Sequence, residues 1–399
     1  MGARAEGSVL DLPGFAAFAD DGRIVPARAE DFIAMPEGTL LLQLPGRSPA
    51  HGPDQMRAVA AALPLGYTRT LLPAYVAAPD APPLPLYGYT AVAWSRGGLA
   101  VAAVRTDALE TWSAQAHAPQ RVARAIVERD AEFPGNGMLA QLRRCATEYG
   151  CYTAQNAFLR SGEAALPVSP ACNASCIGCI SAQEMDAGIR SAQERIRRLP
   201  EVAEISDVAT AHLEADPAHI VSFGQGCEGE PLLAAPLVEQ AITAIRRRTR
   251  AGTIHCNTNA SRPQALARLC AAGLQSIRVS LNSTRANIYA AYYRPRGYDF
   301  SAVRRSLDVA AAAGVTISLN LLTHPGVTDD PAEMEALSRL LRAYPIAMLQ
   351  TRTLNVDPQV YFAAVGRPAT QPFGMRAWLT WLCAQFPRLA VGNFTRGFG

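Results

Sequence analysis

Apolar and polar positions change rhythm along this chain, and the change divides it. Up to about residue 105 the apolar positions come in short runs separated by Gly and Pro. Residues 39–44, 86–94 and 99–105 read as strands. The last two flank Ser95-Arg96-Gly97-Gly98, whose residue types suit a hairpin turn. The Pro-rich run 78–86 reads as a loop. Apolar residues then recur at helical spacing over 119–132 and 137–149. Together these elements predict a small N-terminal α+β domain over residues 1–160.

Beyond residue 163, short β-rich runs alternate with helical segments rich in Ala, Leu and Arg. The pattern predicts strands at 165–168, 219–223, 253–257, 276–281, 316–322 and 347–351. It predicts helices at 191–199, 233–250, 263–272, 300–313 and 331–343. Gly273 and Gly314 stand where helix C-terminal caps belong. Strands that alternate with helices pair in parallel, through right-handed crossovers. Six such units over 161–360 predict an α/β fold, either a partial (β/α)6 TIM-like barrel or an open parallel sheet. Functional residues then belong at the C-terminal strand ends. A last helix over 373–386 and a strand over 389–393 are expected to pack on the barrel as part of residues 361–399.

Composition narrows the chemistry. With 399 residues, 49% of them hydrophobic, a large core is feasible. None of the 37 residues counted as Lys or Arg is Lys, which excludes a Schiff-base lysine, a lysine nucleophile and a P-loop. A net charge of +3 is too small to argue for nucleic acid. The densest cationic run, Arg246-Arg247-Arg248-Thr249-Arg250, reads as a solvated helix end. The first 20 residues lack an apolar signal region and no run has membrane-spanning length, so a soluble cytoplasmic protein is expected.

Of nine cysteines, three fall in Cys172-Asn173-Ala174-Ser175-Cys176-Ile177-Gly178-Cys179, just after the first strand of the repeating half. Zinc wants four ligands, usually as two close pairs. No second pair lies nearby in sequence, although Cys145 and Cys151 keep a structural zinc site open as an alternative. Thiolates also hold iron–sulfur clusters, usually four per cluster. Three thiolates on one loop leave one iron of a [4Fe–4S] cube open to a ligand.

This loop resembles that of the radical S-adenosylmethionine (radical SAM) superfamily, in which C-x3-C-x2-C follows the first strand of a (β/α)6 partial barrel. The resemblance covers about residues 163–355 and implies that Cys172, Cys176 and Cys179 are metal ligands of a [4Fe–4S] cluster whose open iron chelates SAM. Gly226-Cys227-Glu228-Gly229-Glu230-Pro231 is similar to the family's G-G-E-P segment, with Glu228 replacing a Gly. Asn257-Thr258-Asn259 resembles T-N-G, with Ala260 replacing Gly; Ser280-Leu281-Asn282 resembles S-L-D; and Ser318-Leu319-Asn320 resembles the fifth-strand segment near the adenosine. The implied SAM-binding residues are Gly226, Gly229, Glu230, Asn259, Ser280, Asn282 and Asn320. Gly178 departs from the family, which often carries a bulky residue before the third cysteine.

The resemblance implies reductive cleavage of SAM to a 5′-deoxyadenosyl radical that takes hydrogen from a substrate. An external electron donor, such as flavodoxin or ferredoxin, is then a partner. Arg294 and Arg296, with Tyr292 and Tyr293, suit an anionic or planar substrate. Gln350 and Arg352 end the sixth strand and are further substrate candidates. Cys227 and Cys383 are a candidate thiol pair for an RNA-modifying methylase. A non-catalytic iron–sulfur or zinc protein is the competing class.

Overall fold

The computed structural model describes residues 31–47, 56–77, 81–95, 98–107, 112–113, 115–184 and 188–396, with strand segments at 2–4, 9–10, 18–19 and 24–25. In the N-terminal part, Leu40–Arg47, Met56–Ala62, Tyr89–Ser95 and Gly98–Val101 pair antiparallel in one sheet. Ser95 pairs with Gly98 as a hairpin requires, while Arg96 and Gly97 of the expected turn lie outside the described residues, as do 78–80 of the Pro-rich loop. The single run 99–105 becomes two strands, because Ala103–Arg105 leaves the sheet to pair with Tyr67–Arg69. Met56–Ala62 was not expected as a strand; four of its seven residues are Ala, weak in β-propensity. Three helices follow: α1 (Pro119–Glu132), α2 (Gly137–Glu148) and α3 (Tyr152–Leu159).

The second half is a parallel half-barrel in strictly sequential order: β1 (Glu163–Ala165), β2 (Ile220–Phe223), β3 (Thr253–Thr258), β4 (Ser276–Leu281), β5 (Thr316–Thr323), β6 (Ile346–Thr353) and β7 (Ala390–Gly392). Its helices are α4 (Val202–Ala215), α5 (Ala235–Arg248), α6 (Pro263–Ala272), α7 (Ala286–Tyr293), α8 (Phe300–Ala312), α9 (Pro331–Ala343), α10 (Pro358–Val365) and α11 (Met375–Gln385). Six of the strands alternate with helices, as the apolar rhythm predicts; the C-terminal strand joins the sheet as a seventh, beside β6.

Two expectations need correction. The first strand lies at 163–165, not 165–168, since the chain after Leu166 leaves the sheet toward the cysteine loop. The helix expected at 191–199 does not form. That stretch is irregular, and its Ile196 N–H donates to the Cys227 carbonyl at 2.8 Å. The helix begins past Pro200, where Glu201 and Glu204 form a reciprocal capping box at the start of α4.

One continuous core joins the halves. It runs from Leu72 through α1–α3 and the barrel to Leu382 on α11. Hydrogen bonds cross the same boundary: Thr68 Oγ1 donates to Thr351 Oγ1 at 2.7 Å, and the Leu84 N–H to Asp357 Oδ2 at 2.9 Å. Among the described residues no helix is long and apolar enough to cross a membrane.

Candidate active site

The cysteine loop leaves β1 and docks on the segment that follows α7. Ala174 bridges Pro295, the Ser175 N–H donates to the Tyr293 carbonyl at 3.0 Å, and the Ile177 N–H to that of Tyr292 at 3.1 Å. Arg296 closes the clamp: its N–H donates to the Asn173 carbonyl at 2.8 Å and its guanidinium to the Cys172 carbonyl at 3.0 Å. Arg195 donates to Cys179 Sγ at 3.4 Å and to Ser181 Oγ at 3.2 Å. Burial pushes the Cys172 and Cys176 thiols up, and for Cys176 the neighbouring charges of Cys179 and Cys172 add to it.

The turn after β2 is built to meet this loop. A Cβ on Gly229 would lie 1.9 Å from the Ala171 carbonyl oxygen, so only glycine lets these backbones touch. The Gly229 N–H donates to the Ser169 carbonyl at 2.6 Å and the Glu230 N–H to that of Ala171 at 2.8 Å. Glu228 is buried and accepts four backbone N–H groups, from Val168, Ser169, Gly224 and Gln225, at 2.7–2.8 Å. Burial pushes its carboxyl up to about 7, against the pull of those donors. Glu230, also buried, accepts from the Leu232 and Asn259 N–H groups and from the Thr258 hydroxyl. Asn259 in turn donates to Asn173 Oδ1 at 2.8 Å. These side chains join the ends of β1, β2 and β3 to the cysteine loop.

Beside the loop lies a cavity of about 540 Å³ inside the half-barrel. Gly178, Gly226, Ser280, Asn320, Gln350 and Arg352 all line it. Ser280, Asn320 and Gln350 are in register across β4, β5 and β6, so they form one row on one face. Gln350 is 1% exposed, yet both polar atoms of its amide lack a partner, as does Asn320 Oδ1. Unmet buried polar atoms cost about 1–3 kcal/mol each, so a row of them marks a ligand site. The turn at Leu63, Pro64 and Leu65, with Tyr67, walls this cavity and also lines an outer one of about 860 Å³.

The site residues expected from the sequence separate into two sets. Gly226, Ser280, Asn320, Gln350 and Arg352 face the cavity, whereas Gly229, Glu230 and Asn259 hold the loop and do not line it. Asn282 is buried and donates to the Tyr361 hydroxyl at 3.0 Å. Arg296 serves the cysteine loop, and Arg294 is exposed, 3.9 Å from Glu184; neither lines the cavity. The Cys227–Cys383 pairing is corrected. Cys383 is exposed on α11, whereas Cys227 is buried, and the thiol that it draws down, to about 7, is that of Cys145 on α2. Gly178 is explained as well: a Cβ there would lie 2.8 Å from the Tyr292 hydroxyl, so Tyr292 fills the space a bulky residue would take. Arg195 and Arg278 were missed. Arg195 sits in a stretch whose composition reads as helix. Arg278 lies two residues before Ser280 on the same strand face, which strand alternation could have revealed.

The donor set, three thiols on one loop, is that of an iron–sulfur cluster by its chemistry. Among the described residues no three His, Cys, Asp or Glu side chains converge to hold one metal. In a [4Fe–4S] cube each thiolate holds a different iron, so the sulfurs need to surround a space, not a point. Cys172, Cys176 and Cys179, on one clamped loop, are free thiols of the kind such a cluster takes. Among curated proteins, none matches the chain. Solved structures similar to it include methylornithine synthase (PylB), at 14% identity and a TM-score of 0.40 over 68% of this chain and 78% of that one. Also similar are the FeFe-hydrogenase maturase HydG from Carboxydothermus hydrogenoformans (13%, 0.39, 68% and 68%) and a spore photoproduct lyase mutant with bound AdoMet (13%, 0.40, 64% and 94%). The family model of the radical SAM superfamily matches residues 166–337, which hold the cysteine loop and β2–β5. Residues 166–337 are therefore a radical SAM domain, a domain type whose cofactors are a [4Fe–4S] cluster and SAM.

Proposed function

We propose that the chain is a radical SAM oxidoreductase acting on a substrate bound in the half-barrel cavity. The carrying observation is the docking of the three-cysteine loop beside a cavity whose buried polar atoms lack partners. When bound, the cluster and SAM supply one-electron reductive cleavage, the chemistry no side chain here can perform. Cys172, Cys176 and Cys179 hold the cluster, and Arg195 orients the Cys179 sulfur. Gly226, Ser280 and Asn320 line the space for SAM. Gly229, Glu230 and Asn259 act one step back, by fixing the loop that carries the cysteines. Residues 1–160 wall the cavity through the Leu63–Tyr67 turn and exclude water from it. The C-terminal segment adds Asn393 to its lining, and Thr395 bonds Glu163. An external one-electron donor, such as a flavodoxin or ferredoxin, is the remaining partner.

The test is anaerobic reconstitution with iron and sulfide, then addition of SAM and dithionite. Release of 5′-deoxyadenosine is the expected result, and its absence from a fully loaded protein sinks the reading. Cys176→Ala is expected to lose the visible absorption of the cluster.

A further inference from the structure

The charge balance of the cavity carries one step more. Arg278, which lines the cavity, belongs to a buried network. Glu163 accepts from Ser222 Oγ at 2.5 Å and from the Thr395 hydroxyl, and lies 3.5 Å from Arg278. Arg278 also donates to Thr395 Oγ1 at 2.5 Å. One cation and one anion are thereby matched. His255, beside them, stays neutral, because burial and then the Arg278 charge hold it down at about 3. Arg352 is different. It lines the cavity, and among the described residues no carboxylate lies within ion-pair distance of its guanidinium. Burial, then the charge of Arg278, lowers it to about 10, while Glu163 and Asp107 raise it without touching it, so it remains a cation at neutral pH.

The cofactors do not supply the missing anion. SAM is a net monocation, with a sulfonium, an ammonium and a carboxylate. A [4Fe–4S]2+ cluster on three thiolates is a net monoanion. The two cancel, so the pair as a whole brings no net anion to Arg352, which no described carboxylate contacts. Gln350, two residues earlier on the same face of β6, adds an unpartnered donor and acceptor, 1% exposed.

We infer that the substrate is a small oxyanion, a carboxylate or a phosphate ester, held by the Arg352 guanidinium with the Gln350 amide beside it. The inference rests on the radical SAM reading for the cavity's occupants, and it concerns this chain's own residues. A planar guanidinium matches a carboxylate or phosphate with paired donors, and a buried charge–charge contact of this kind gives selectivity over neutral analogues. The amide adds a hydrogen bond that an apolar ligand would leave unmade.

The experiment is calorimetric titration of the reconstituted, SAM-loaded protein with inorganic phosphate and, separately, with acetate, at ionic strength fixed with chloride. Saturable binding of one or both probes is expected. Tighter phosphate assigns a phosphate ester and tighter acetate a carboxylate. Arg352→Met is expected to weaken the probe by about tenfold or more, Arg352→Lys by less, and Gln350→Leu by a few-fold. SAM affinity in Arg352→Met is expected to stay within about twofold of the parent. The inference is overturned if neither probe binds the parent, or if both bind it and Arg352→Met equally. It is also overturned if Arg352→Met weakens SAM by about tenfold, since the guanidinium then holds SAM's own carboxylate. Should Arg352→Met fold poorly, Arg352→Lys and Gln350→Leu carry the same comparison. A loaded protein that binds anions through Arg352 but cleaves no SAM upholds the anion site while overturning the proposed reaction.

Discussion

Gly229 is a single residue on which the cysteine loop depends for its place. Its missing side chain lets the turn after β2 press against Ala171, one residue before Cys172. A methyl group there must drive the two backbones apart. Gly229→Ala is expected to cost about 1–3 kcal/mol, the range for overpacking, and to lower the iron retained per chain after reconstitution. Denaturant unfolding and iron analysis check it; full iron retention at parental stability would show that the contact is dispensable. Gly178 shows the same logic reversed. The sequence marks it as the weak point of the motif, but α7 lays Tyr292 into the space beside it. No local reading could find this, because the two residues are 114 positions apart.

At the scale of elements, two buried histidines connect the helix and strand layers to pH. His212 of α4 donates through Nε2 to the Gly162 carbonyl at 3.0 Å, and its ring stacks on His219 at 4.6 Å. His255 of β3 spans Ser276 and Asn257. Burial holds both down to about 3. The unfolded chain takes up protons near pH 6.5 while the folded chain does not, so stability is complete above that pH and falls as pH drops toward 3. Each histidine contributes up to about 1.4 kcal/mol per pH unit in that window. A melting temperature that declines steadily from pH 7 to pH 5 is expected, with a smaller decline in His212→Gln; a flat profile would refute it. Local sequence was most legible where an element's own pattern decided its state. The helices at 263–272 and 331–343 and the strand at 276–281 form over the expected residues. The stretch 191–199 was misread because its Arg-rich composition favours helix, while Arg195 and Ile196 bind partners on the cysteine loop and the β2 turn.

For the whole molecule, the decisive fact is the shared core. Helices α1–α3 precede the barrel in sequence, but Leu139, Leu142 and Phe158 are buried in the same cluster as its strands. A fragment of residues 161–399 is therefore expected to lack a cooperative thermal transition and to expose apolar surface to a dye such as ANS. A sharp transition in that fragment would instead define an independent barrel domain. The sequence by itself determined the alternation of strands and helices, the three thiols on one loop and the polar residues at strand ends. Those depend on periodicity and spacing, which are local properties of a chain. Only the tertiary structure decided that Arg296 clamps the loop, that Cys145 and not Cys383 acts on Cys227, and that Arg352 faces a cavity whose described lining holds no acid. Those depend on which distant side chains meet, and on which buried charges are left without a counterpart.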